Sequence, residues 1–184
     1  FKGHADIPLN DTGRAQAAPA AAQLVGERFG RVVASDLARA DETARIVAAR
    51  CGLPVITDPR LREVDVGSWS GHSMDEIGQQ EPDFWPALRE GRDFRRSPEG
   101  ETATEAGQRV ALALLDHAEA AADGEVLLAV GHGLSLRVAA LLLMGLDYSH
   151  ARLFRGMGNC HWTVLQPGGE YWRLASYNVG LIEG

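Results

Sequence analysis

The sequence predicts an α/β protein, a three-layer α/β/α sandwich with a mostly parallel sheet and a small helical cap insertion. Three observations predict it. "RVVAS" (31–35), the amphipathic segment "ARADETARIVAARCG" (38–52) and "PVITD" (54–58) follow one another with β-α-β spacing. "EVLLAVG" (125–131) is apolar without alternation, as a strand covered on both faces requires. A helix beginning near Leu134 or Ser135 then follows that strand directly.

Each element has a local reason. Asp11 or Thr12 is suited to cap a helix running to about Phe29, with Leu24, Val25 and Phe29 on one face. Pro19 falls inside it and predicts a late start or a kink. The β-branched run 31–35 reads as a buried strand, and the helix over 38–52 stops at Gly52. From Arg62 to Gly100 the pattern breaks, and only short helices at 74–80 and 82–91 are expected. The cap insertion is placed at about 64–101, because a long irregular stretch in a compact domain is usually a lid or a substrate rim. A helix from about Thr102 to Ala122 restores regularity. "CHWTVLQ" (160–166) and "YWRLASY" (171–177) alternate, and Pro167-Gly168-Gly169 joins them as a hairpin.

Composition bounds the function. The 184 residues suit one domain, and 45% hydrophobic with 23% charged residues is ordinary for a folded soluble protein. A net charge of −7 argues against bulk nucleic-acid binding but leaves room for a local basic pocket. Cys51 and Cys160 form neither a disulfide framework nor a metal motif, so buried thiols in a reducing cytoplasm are expected. No Asp/His cluster has metal-ligand spacing, and no metal or other cofactor is expected. The longest apolar run, Val138–Met144, is too short to span a bilayer.

Three places carry candidate chemistry. In "LLAVGHGLSLR" a strand ends at Gly131-His132-Gly133 and a helix begins, which presents His132 where free N–H groups meet an anion. Arg39 lies in the first turn of its helix, where a cation opposes the dipole unless an anion sits nearby. Glu63 opens "EVDVGSWSG". A carboxylate beside an anion site is repelled by the occupant and holds its proton more tightly, as a general acid must. Each alone has an ordinary structural explanation: a hydrogen-bonded histidine at a turn, a solvated arginine, a surface glutamate.

Taken in order, "KGHADIPLNDTGRAQA", "SDLARADETA", "LREVDVGSWSG", "SPEGET", "VGHGLSLR" and "GMGNCHWTVL" resemble the histidine phosphatase superfamily, the phosphoglycerate-mutase-like fold. The resemblance covers nearly the whole chain and implies the following roles. His132 is the second pocket histidine, which holds and polarises the phosphoryl group. Arg39 clamps phosphate oxygens, and Glu63 is the proton donor to the leaving oxygen. Lys2 and Gly3, with the Gly133 and Leu134 backbone N–H groups, contact phosphate or substrate. Lys2 is a departure, since Gln, Ser or Thr is more usual there. The family's Arg-His-Gly motif, which carries the nucleophilic histidine, is expected at the end of a strand ahead of Phe1. His4 lies in a variable position and does not replace it.

The resemblance thus implies a metal-independent phosphomonoester hydrolase in the cytoplasm, acting on a small phosphorylated metabolite through a phosphohistidine. The short spacing from Glu63 to Pro98 favours a phosphatase over a mutase, whose longer insertion excludes water. The C-terminal phrases are similar to those of actinobacterial phosphatase members. A phosphomutase stays open as an alternative, as does a non-catalytic phospholigand-binding relative if the upstream segment lacks its histidine. A homodimer is equally open. Trp69, Phe84, Trp85 and Arg89 line an acceptor pocket or pack the cap core.

Overall fold

The computed structural model describes residues 1–180. Asn10 caps the first helix, its side chain accepting the Gly13 N–H at 2.9 Å, and α1 runs Asp11–Leu24. The cap is therefore one residue earlier than expected, and the helix ends well before Phe29, which already pairs with Val126 as the first residue of β1 (Phe29–Ala34). Pro19 lies on an exposed position inside α1, and the helix does not start late. Its buried face is Ala17, Ala20 and Ala21, whereas Val25 is exposed.

β1 leads through α2 (Ala38–Cys51) to β2 (Val55–Thr57), which pairs parallel with β1. Gly52 ends α2 at φ +68°, the left-handed conformation that glycine adopts without a Cβ penalty. α5 (Ala103–Glu119) starts with a reciprocal capping box between Thr102 and Glu105. Asp93 adds a second cap, its carboxylate accepting the N–H groups of Ala103 and Thr104. The next strand, β3 (Val126–Val130), pairs parallel with the other edge of β1, giving the order β2-β1-β3. α6 (Gly133–Leu143) begins after two intervening residues, slightly earlier than the sequence suggests. β4 (Trp162–Pro167) and β5 (Trp172–Val179) form an antiparallel hairpin around the predicted turn, as a separate two-stranded sheet.

Alternation along the parallel strands divides the core into two layers. Val32 and Ala34, with Val55, Leu128 and Val130, pack on Ala44 and Ala48 of α2. Val33, with Ile56, Leu127 and Ala129, packs on Val110, Ala113 and Ala139 of α5 and α6. Full burial of a valine stabilises by about 1.5–3 kcal/mol, and Val32, Val33, Val110 and Val138 are all wholly buried.

The cap holds two short helices, α3 (Met74–Gln80) and α4 (Phe84–Glu90). Its core is Val66, Trp69, Ile77 and Phe84, with Phe1, Trp85 and Phe94 packed against them. Phe84 meets Trp69, Trp85 and Phe94 edge-on, with ring centroids 5.0–5.9 Å apart. The aromatics are thus cap core rather than an acceptor pocket, and Arg89 is exposed.

Candidate active site

The carboxyl ends of parallel strands are where ligands of open α/β sheets bind. At this edge Ser35 follows β1, its N–H donating to the Val130 carbonyl at 2.9 Å, which ties the ends of β1 and β3 together. His132 follows β3 as the residue capping α6, in extended backbone conformation. Its Nε2 lies 2.9 Å from the fully buried Ser35 hydroxyl, whose oxygen also accepts the Leu37 N–H. The consistent assignment has the Ser35 hydroxyl donating to Nε2, which leaves the proton on Nδ1.

His132 is 8% exposed. Burial, then the charge of Arg39, push its pKa down to about 3, so the ring is neutral at physiological pH. A neutral Nδ1–H can polarise a phosphoryl oxygen without being drained of its proton.

Arg39 comes from the first turn of α2 and reaches the loop that precedes α1. Nη1 donates to the Ala5 carbonyl at 2.7 Å and Nη2 to the Gly3 carbonyl at 3.0 Å. Burial lowers its pKa, while the neighbouring Glu63 and Asp6 favour its charge. Asp6 in turn accepts the Ala38 N–H at 2.7 Å, closing the same loop onto the start of α2. Gly3 has φ +45°, and a Cβ there would fall 2.6 Å from Val66 Cγ2, so the close approach of loop and cap demands glycine.

Glu63 is held by backbone donors. Oε1 accepts from Val64 and Ser135, both at 2.9 Å, and Oε2 accepts from Leu134 at 3.2 Å. The carboxylate thus sits on the N-terminus of α6, the anion site the sequence pointed to, and engages the Leu134 N–H expected to meet phosphate. Lys2 is exposed at the rim, and its carbonyl accepts the Ala5 N–H. Lys2, Gly3, Arg39, Glu63, His132, Gly133 and Leu134 all line one cleft of about 1550 Å³.

Several supporting groups carry no motif. Arg109 of α5 pairs with Glu101 at 2.6 Å and donates to the carbonyls of Arg60, Arg62 and Glu63, fixing the loop that bears Glu63. Arg62 forks onto Asp36 at 2.7 and 2.5 Å, bracing the β1–α2 loop. His4 spends Nε2 on the Glu63 carbonyl, 2.8 Å away. Only the "SPEGET" phrase, which contains Glu101, hinted at this scaffold. Apart from Arg109 and Glu101, eight residues apart, the partners are 26 to 59 residues away in sequence and invisible to local pattern. Among the described residues no group of three or more His, Cys, Asp or Glu is placed to hold a metal ion. No described helix is long and apolar enough to cross a membrane.

Known proteins resemble this chain in sequence and in fold. The family model of the histidine phosphatase superfamily (branch 1) matches residues 1–180. A probable phosphoglycerate mutase, GpmB, of Yersinia pestis is 35% identical over 160 residues, covering 87% of this chain and 74% of that protein. Mycobacterial glucosyl-3-phosphoglycerate phosphatase Rv2419c, solved with inorganic phosphate, superposes with a TM-score of 0.87 at 30% identity, covering 98% of this chain and 91% of that one. Bacillus stearothermophilus YhfR superposes with a TM-score of 0.81 at 29% identity, covering 97% and 88%.

Proposed function

The chain belongs to the histidine phosphatase superfamily, and on that premise we propose that it hydrolyses phosphomonoesters of a small metabolite through a phosphohistidine intermediate. One observation carries this reading. Neutral His132, cationic Arg39 and Glu63 converge on one cleft at the carboxyl ends of β1 and β3.

The chemistry follows from charge. A phosphoryl group in transfer spreads negative charge over its oxygens, so positioned cations and N–H donors supply most of the rate. Arg39 meets one oxygen and His132 Nδ1–H another, while Lys2 at the rim adds a longer-range attraction. The nucleophile is a neutral histidine from the Arg-His-Gly segment that the family resemblance places ahead of Phe1. Its nitrogen bonds to phosphorus as the P–O bond to the alcohol breaks. Glu63 gives a proton to the departing oxygen, then takes one from the water that cleaves the N–P bond. No step calls on a metal.

The compact cap, closed by its own aromatic core, favours water as phosphoryl acceptor over a second substrate position. Rv2419c is a glucosyl-3-phosphoglycerate phosphatase by name, which makes phosphoglycerate-bearing esters the first substrates to try. GpmB keeps a mutase in view, since it too is a relative. The test is a panel of phosphomonoesters given to the polypeptide with its upstream segment, quenched in base. Inorganic phosphate release with an acid-labile phosphoenzyme supports hydrolysis. Transfer between substrate positions without release points to a mutase, and binding with neither overturns both.

A further inference from the structure

Arg39 and Glu63 come from different elements, and one loop touches both. The Gly3 and Ala5 carbonyls accept from Arg39, and the Asp6 carboxylate accepts from the Ala38 N–H. Between these anchors His4 reaches the other way, and its Nε2 meets the Glu63 carbonyl at 2.8 Å. A carbonyl only accepts, so the ring proton is on Nε2. Nδ1 faces Asp65 Oδ2 at 3.6 Å, and the imidazole spans two residues of the loop that bears Glu63.

That contact reaches the carboxylate through a rigid body. The Glu63 carbonyl and the Val64 N–H belong to one trans peptide unit, which is planar, so the two groups point in opposite directions. His4 and Arg109 Nη2, at 2.8 and 3.2 Å, hold the carbonyl end of this plane. Its opposite end donates the Val64 N–H to Glu63 Oε1 at 2.9 Å. The other donors to the carboxylate, the Leu134 and Ser135 N–H groups, belong to α6. α6 is fixed by its packing on α5, so the orientation of the 63–64 peptide sets the remaining side of the carboxylate's seat. Val64 is 2% exposed, and water does not compete for its N–H.

We propose that His4 is a positioning residue for Glu63: it fixes the tilt of the 63–64 peptide plane and, through that plane, the aim of the carboxylate. The proposal rests on the reading of Glu63 as proton donor to the leaving oxygen. Donation to the carbonyl also polarises the amide, which makes the Val64 N–H a stronger donor to Oε1. Arg109 alone is a weaker hold, since its 3.2 Å bond is long and its guanidinium also serves Glu101 and two further carbonyls. The imidazole is not needed to seat Arg39, whose acceptors are the backbone carbonyls on either side of it. Its loss therefore disturbs the acid and spares the phosphate clamp.

The test compares the native full-length protein with His4→Leu, which has no donor, and His4→Gln, whose amide nitrogen stands close to where Nε2 does. One readout is kcat on phenyl phosphate, a poor leaving group, against 4-nitrophenyl phosphate, a good one. The other is hydrogen exchange of the Val64 amide. The leucine variant is expected to lose about three- to tenfold more on phenyl phosphate than on 4-nitrophenyl phosphate, the contribution of one hydrogen bond. Its Val64 amide exchanges faster, and the glutamine variant restores both. Equal losses on the two esters would make His4 a fastening of its own loop and overturn the proposal. Native rates in the leucine variant, or no recovery in the glutamine one, would do the same. If the native protein hydrolyses neither ester, the phosphatase reading fails and exchange decides alone. Faster exchange in the leucine variant with recovery in the glutamine one then upholds the hold of His4 on the peptide plane. Unchanged exchange overturns it in either case.

Discussion

Lowering the pH from 7 to 5 puts a proton on the imidazole at position 132 in the unfolded chain but not in the folded one. The unfolded ring titrates near 6.5, and burial beside Arg39 pushes the folded value down to about 3. Between these values the unfolded state binds more protons, so stability falls as the pH drops through 6.5 towards 3. Integrated from pH 7 to pH 5, the loss assigned to this one group is about 2 kcal/mol. For a domain of this size that lowers Tm by about 4–8 °C. The assay is thermal or urea unfolding at both pH values for the native chain and for His132→Asn, which cannot titrate. Every other group cancels in the difference, so the variant should lose about 2 kcal/mol less on acidification. Equal acid sensitivity in the two proteins would refute the placement of His132 as a buried neutral ring.

Other expectations concern single contacts. Glu63→Gln should slow alkyl phosphates far more than aryl phosphates, because an aryl oxide departs with little protonation; equal losses would make Glu63 structural. Arg109→Met strips the partner from Glu101 and the donors from three carbonyls, and urea unfolding should show a loss of about 3 kcal/mol. Gly100→Ala would set a Cβ 2.0 Å from the Arg96 carbonyl oxygen, so a loss of at least about 2 kcal/mol is expected. Gly52→Ala, with open space but φ +68°, should cost only about 1 kcal/mol by the same measurement.

The layered α/β architecture was legible because the runs Val32–Ala34 and Val126–Val130 are apolar without interruption and the helix at 38–52 is amphipathic to its Gly52 stop. The short cap helices were legible too, Met74–Gln80 at its full length. The end of α1 was not, since Leu24, Val25 and Phe29 look like a helical stripe while the packed face is alanine. Alanine contributes little to a hydrophobic pattern yet allows the closest approach between layers. Of the site, His132, Arg39 and Glu63 announced themselves through glycines, a helix start and a motif. Ser35, Arg62 and Arg109 did not, because each works through a partner brought near only by the fold. Arg39's hold on the Gly3 and Ala5 carbonyls was equally hidden, as backbone acceptors leave no trace in residue type.

The most direct test of the phosphatase reading is single-turnover hydrolysis of 4-nitrophenyl phosphate by the polypeptide with its upstream segment, native against His132→Ala. If the buried ring polarises the phosphoryl group, phosphoenzyme formation slows by about a hundredfold to a thousandfold or more with the fold intact. A near-native rate would remove His132 from the chemistry and leave it a hydrogen-bonded histidine at a tight turn.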